Sequence, residues 1–142
     1  MRALLDVNVL IALHDRDHVQ HQQAARWFEA NIEQGWASCP LTQNGCLRIM
    51  SQAGYSNPQP FAALSTMLRR STTTKFHALW SDDISILDAG LFNHPHIHSA
   101  SQLTDLYLLG LAVRHKGRLA SFDQRIALSA VVGATPAHLV TL

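Results

Sequence analysis

Short apolar runs of three to five residues alternate along the chain with longer stretches whose apolar positions recur every three or four residues. That alternation predicts strands interleaved with helices. Arg2 to Leu5 reads as a short buried strand that leads straight into Asp6, and Val7 to His14 as a helix carrying Val7, Leu10, Ile11 and Leu13. His18 to Gln34 is the clearest amphipathic segment, with Ala24, Trp27, Phe28 and Ile32 at helical spacing and Gly35 to end it. "WASCP" makes a second strand that stops at Pro40, and "LTQNGCLRIM" a helix that Thr42 can cap. After the turn "YSNPQP", Pro60 suits the first turn of a helix through Arg70. "ISIL" then predicts a third strand and "NHPHIH" a loop. From Ser101 to Lys116 a helix is expected, with Leu103, Leu106, Tyr107, Leu109, Gly110 and Val113 facing inward. Gly117 stops it, "RLASF" gives a fourth strand and "HLVTL" a short last one.

Hairpin signals are almost absent, so consecutive strands are expected to be joined by right-handed crossovers into a mainly parallel sheet of four to five strands with helices on both faces. The fold class is α/β, and one domain spans residues 1–142 without linker, repeat or low-complexity segment. Ligands of such sheets sit outside the carboxyl ends of the strands. Asp6 falls at that end of the first strand and Asp123, in "ASFDQR", at that end of the fourth. Asp105, in "QLTDLYL", lies in the first turn of the helix feeding the fourth strand. Each alone is equally an ordinary helix cap, a turn former or a complement to a helix dipole. Together at one edge they would repel one another unless a cation sat among them, and a few carboxylates with open positions suit magnesium or manganese.

Composition narrows the classes. With 47% hydrophobic and 15% charged residues the chain is globular, and its net charge of +1 supplies no overall attraction to a polyanion or a membrane. Contact with nucleic acid must therefore be local. Cys39 and Cys46 fit neither a disulfide framework nor a zinc pattern and are expected as reduced, packed thiols. Asp6 interrupts the only run resembling a signal sequence, and no stretch is long enough to span a bilayer, so a soluble cytoplasmic protein is expected.

"LLDVNVLIAL", "TDLYLLGLA" and "LASFDQRI", in this order in a chain of this length, resemble the PIN-domain family and more closely its VapC-type toxins. "LTQNGCLRI" resembles the second motif of one VapC subgroup. The resemblance implies a PIN-like three-layer fold and a Mg2+-dependent (Mn2+ also possible) ribonuclease that cuts tRNA or another structured RNA. It implies that Asp6, Asp105 and Asp123 hold the metal, that Asn8 orients the first aspartate, and that Thr104 and Ser121 supply hydroxyls to the neighbouring acids and substrate. Its usual partner is a small antitoxin whose tail covers the active site. One position departs from the family pattern: a glutamate expected in the helix after the second strand is missing, with Asn44 or Gly45 in its place and no acidic residue between Glu33 and Asp82. Asn44 is counted with the candidate catalytic residues as a neutral oxygen.

The chemistry implied is metal-assisted phosphodiester hydrolysis, with Asp6 and Asp105 as direct ligands and Asp123 on the ion or its water shell. Phosphate positioning is expected from Arg48 and from the Arg114, His115, Lys116 and Arg118 group, which otherwise forms a solvated helix end. His94, His96 and His98 are expected in an exposed loop, and His18 with His21 on a solvated helix face. Phe61, Leu64 and Leu68 are expected as a partner-facing patch of a homodimer that also binds the antitoxin. Two other readings start from the same acids: a catalytically weak or inactive PIN-fold module that holds RNA or antitoxin, and a phosphate-accepting receiver domain. The latter expects an acidic pair at the first strand and a lysine after the last, neither of which is present.

Overall fold

The computed structural model describes residues 1–142. Five parallel strands form the sheet: β1 (Ala3–Leu5), β2 (Trp36–Ser38), β3 (His77–Leu79), β4 (Arg118–Ser121) and β5 (Leu139–Thr141), in the order β3-β2-β1-β4-β5. Helices α1 (Val7–His14), α2 (His21–Asn31), α3 (Pro40–Met50), α4 (Phe61–Thr72) and α5 (Leu103–Arg114) complete an α/β domain. No helix is long and apolar enough to cross a membrane.

Side-chain alternation along the strands builds two cores. Leu4, Ala37 and Leu119 face α5, whose Leu106, Leu108, Leu109 and Leu111 are fully buried against them. Ala3, Leu5, Trp36 and Ala120 face the other way, onto Val9, Leu10 and Ile11 of α1, Cys46 and Met50 of α3 and Leu64 of α4. Cys39 and Cys46 are both free and buried, and burial pushes their thiols up to about 11 and about 12, so neither is reactive at neutral pH.

Four expectations are corrected. The third strand is His77–Leu79, not "ISIL": Trp36, Ala37 and Ser38 pair in register with His77, Ala78 and Leu79, while Asp82 is drawn aside to accept the Leu41 N–H at the start of α3 (2.9 Å). Ile84 and Ile86 pack on the core from irregular backbone. Pro40 opens α3 instead of only closing β2, and Thr42 caps from inside the helix, its hydroxyl accepting the Cys39 N–H at 3.0 Å. Leu103 is exposed, because it sits at the solvent side of the first turn of α5. Leu64 and Leu68 are buried, so of the expected apolar patch on α4 only Phe61, at 62% exposure, is on the surface.

Candidate active site

The chain leaves β1 in one direction across the sheet, toward β2 and β3, and β4 pairs on the opposite side of β1. The carboxyl ends of β1 and β4 therefore border the topological switch point, where α/β folds place their ligands. The Asp6 N–H bonds to the Ala120 carbonyl (3.0 Å), which locks the two strand ends together.

Asp6 is 5% exposed and also serves as the N-cap of α1: its backbone carbonyl accepts from Val9 and Leu10, and one carboxylate oxygen accepts the Val7 N–H at 2.7 Å. Its other oxygen accepts the Ser121 hydroxyl at 2.6 Å. That same hydroxyl oxygen accepts the Asp123 N–H (3.0 Å) and the Asn8 side-chain amide (3.4 Å), while Asn8 Oδ1 accepts the Phe122 N–H (3.4 Å). Ser121 is thus the hub that couples Asp6, Asn8 and the turn carrying Asp123. Beyond it, Asp123 Oδ1 accepts the Arg125 N–H at 2.8 Å and faces the Arg125 guanidinium at 3.5 Å. Asp105 enters from the first turn of α5 and shares a cleft of about 260 Å³ with Ser99, Ser101, Gln102, Asp123 and Arg125.

The electrostatics follow from burial and mutual repulsion. Asp105 is pushed up to about 6, first by desolvation and then by the charges of Asp6 and Asp123. Burial also raises Asp6, against the Ser121 and Val7 hydrogen bonds that lower it. Asp123 is lowered, chiefly by the Arg125 N–H. A divalent cation fits this donor set chemically: the oxygens are hard, and a cation would relieve the repulsion that adds to desolvation in lifting Asp105. No three acidic, histidine or cysteine side chains close on one point as a ready-made cage, so the carboxylates would hold an ion through a shell that includes water.

Asp6, Asn8, Asp105, Asp123 and Ser121 are brought to one edge as expected, but Ser121 is fully buried and supports the acids instead of touching substrate. Thr104 is exposed beside Asp105. Asn44 is exposed and outside the cleft; Gly45 faces Val7, and it is Gln43 whose side chain turns back to the end of β2, donating to Ser38 Oγ at 2.9 Å. Arg114 and Lys116 are not at the site. Nine residues at ~1.5 Å each carry Arg114 about 14 Å along α5 from Asp105, to the amino edge of the sheet. There Arg118 bonds to Asn31 (2.9 Å), and His115 stacks on Trp80 at 4.4 Å. Arg48 is exposed in the last turn of α3 and lines no part of the cleft. The cation at the cleft is Arg125, two residues after Asp123, a position that the sequence pattern does not single out.

The PIN domain family matches residues 3–131 of the chain. Ribonuclease VapC44 of Mycobacterium tuberculosis is 54% identical over the whole of both chains. Ribonuclease VapC39 of the same organism is 37% identical over 94% of this chain and 96% of its own. The crystal structure of Mycobacterium tuberculosis VapC20, described as a sarcin-ricin loop cleaving toxin, superposes with a TM-score of 0.59 over 94% of this chain and 99% of that one, at 12% identity; this likeness concerns the fold.

Proposed function

The chain belongs to the PIN domain family, alongside VapC proteins, and from that premise we propose that it is a metal-dependent endoribonuclease acting as the toxin of a toxin–antitoxin pair. The relatives named as ribonucleases support the reaction, and one observation of this chain carries the reading: three carboxylates from separate elements meet at the β1–β4 switch point, where burial first and the charges of Asp6 and Asp123 second push Asp105 up to about 6. A structural cap has no use for that cost.

Bound Mg2+ or Mn2+ would polarise the phosphodiester and lower the pKa of a water. Asp6, fixed in one orientation by Ser121 and Val7, and Asp105 would hold the ion. Asp123, held by the Ser121 hydroxyl and facing Arg125, would add a third anionic oxygen beside them, and Arg125 would meet a non-bridging phosphate oxygen. Asn8 fixes the Ser121 hydroxyl and hence both acids. A structured RNA such as a tRNA is the proposed substrate, and a small antitoxin the proposed partner of a homodimer, with Phe61 and Leu47 at the groove between α3 and α4 as its apolar contact.

The test is cleavage of purified tRNA and ribosomal RNA fragments by the chain freed of any co-purifying protein. Cleavage with Mg2+ or Mn2+, lost in EDTA and lost in Asp105→Asn, is expected. Metal-independent cleavage would remove the carboxylate cluster from the mechanism. RNA binding without cleavage under every ion would favour a binding module, the reading to which the missing glutamate points.

A further inference from the structure

The loop that leads into α5 forms one wall of the cleft, since Ser99, Ser101 and Gln102 line it beside Asp105. Its backbone is held at several points. Asn93 donates to the Ala130 carbonyl (2.9 Å), Phe92 pairs with Val131, and His94 Nε2 donates to the Ile86 carbonyl at 2.8 Å. Ile97 packs into the core, and the Gln102 side chain accepts the His98 N–H at 3.4 Å. Of the three histidines here, His94 is used as a tether. His96 and His98 have no such role: both are exposed, their side chains bond to nothing, and their rings stand 6.5 Å apart at 36°.

That separation is about twice the ~3.4 Å rise between stacked bases. Two exposed rings can turn about χ1 and χ2 to close the tilt, whereas the backbone that spaces them is fixed. Building on the ribonuclease reading, we propose that His96 and His98 clamp one unpaired RNA base between their imidazoles, and so set which nucleotide lies beside the Asp105–Asp123 cleft. Aromatic side chains are the usual platform for splayed-out bases. The cleft itself is poor at holding RNA by charge, because Arg125 is the one cation among its lining residues and Asp105 and Asp123 oppose phosphate. Stacking supplies attraction that those carboxylates do not weaken. It also discriminates in a way that phosphate contacts do not, because a base inside a duplex cannot enter the gap.

The experiment uses the full chain in EDTA and three proteins: wild type, His96→Ala/His98→Ala and His96→Phe/His98→Phe. Fluorescence anisotropy compares a labelled RNA hairpin with an unpaired loop against a blunt RNA duplex, and a hairpin carrying 2-aminopurine in its loop reports stacking directly. The alanine pair is expected to bind the hairpin about tenfold more weakly, to leave duplex binding unchanged and to abolish the quenching of 2-aminopurine. The phenylalanine pair, which can stack but not hydrogen-bond, should restore both affinity and quenching. With Mg2+, the alanine pair should raise KM for the hairpin more than it lowers kcat. Undiminished hairpin binding by the alanine pair, or equal loss on hairpin and duplex, would overturn the clamp while leaving the ribonuclease reading intact. A wild-type chain that binds neither RNA would overturn both.

Discussion

Asp105 is where burial and like charge act in the same direction, and its carboxyl is pushed up to about 6. The folded chain therefore binds this proton more tightly than the unfolded chain does. The group's contribution to stability is full below about 3.8, is lost as pH rises through about 6, and leaves the ionised form a net cost at neutral pH. Because the side chain is partly exposed, solvent screening cuts that cost to ~1 kcal/mol. Asp105→Asn in EDTA is thus expected to melt at or slightly above wild type at pH 7.5, with the difference vanishing near pH 4; thermal melts at the two pH values decide it. The same substitution should abolish RNA cleavage. Ser121→Ala acts differently. It strips one buried Asp6 oxygen and the part-buried Asp123 N–H of their shared partner, leaving Asp6 with the Val7 N–H alone. A loss of ~1–3 kcal/mol is expected, read by urea denaturation, together with weaker binding of Mn2+ by calorimetry. The convergence of Asp6, Asp105 and Asp123 is legible in the sequence because a residue at a strand's end or a helix's start has its place fixed by the element, whereas Asn8 is reached only through the family resemblance. The buried hub role of Ser121 is not legible there, since which acid a hydroxyl serves depends on the β1–β4 pairing.

Among the helices, α5 has the most buried residues, and Gly110 is what lets it approach the loop beneath. A Cβ at that position would meet the Phe92 ring at 2.5 Å. Phe92 is 1% exposed and pinned by its bridge to Val131, so the ring cannot withdraw. Gly110→Ala gains ~1 kcal/mol of helix propensity but overpacks a closed core at a cost of ~1–3 kcal/mol. Net destabilisation of up to about 2 kcal/mol is expected, measured as a lower denaturation midpoint with an unchanged slope. Inward-facing Gly110 was visible in the helical period of the sequence, as were all five helices. The third strand was not. "ISIL" has the stronger β-forming composition, yet "HAL" pairs with β2 because α4 delivers the chain there and Phe76 already accepts the Trp36 N–H at 2.9 Å. Three-residue edge strands carry too little apolar pattern to be told from loops, and the ladder that defines them is tertiary.

The whole molecule is polarised between the two edges of its sheet, although its net charge is only +1. Asp6, Asp105 and Asp123 occupy the carboxyl edge, while Arg2, Arg114, Lys116 and Arg118 gather where α5 ends and β4 begins. The sequence offers Arg114 and Lys116 either as phosphate contacts or as a solvated helix end, and the structure puts them at the helix end, away from the cleft. The direction of α5 is settled by Asp105 at its start, and twelve residues of helix carry its end to the far side of the sheet. A cation acts on a phosphate across water only within about a Debye length, ~8 Å at physiological salt, which is shorter than the ~14 Å that α5 puts between Asp105 and Arg114. Arg114→Ala/Lys116→Ala is therefore expected to leave KM and kcat for RNA within about twofold of wild type. Arg125→Ala removes the one cation among the cleft's lining residues and should raise KM several-fold, and it should flatten the salt dependence of binding by about one phosphate contact. Steady-state cleavage and anisotropy at two salt concentrations compare the variants directly. A larger loss from the Arg114 and Lys116 pair than from Arg125 would mean that RNA wraps to the amino edge, and that this edge is part of the binding surface.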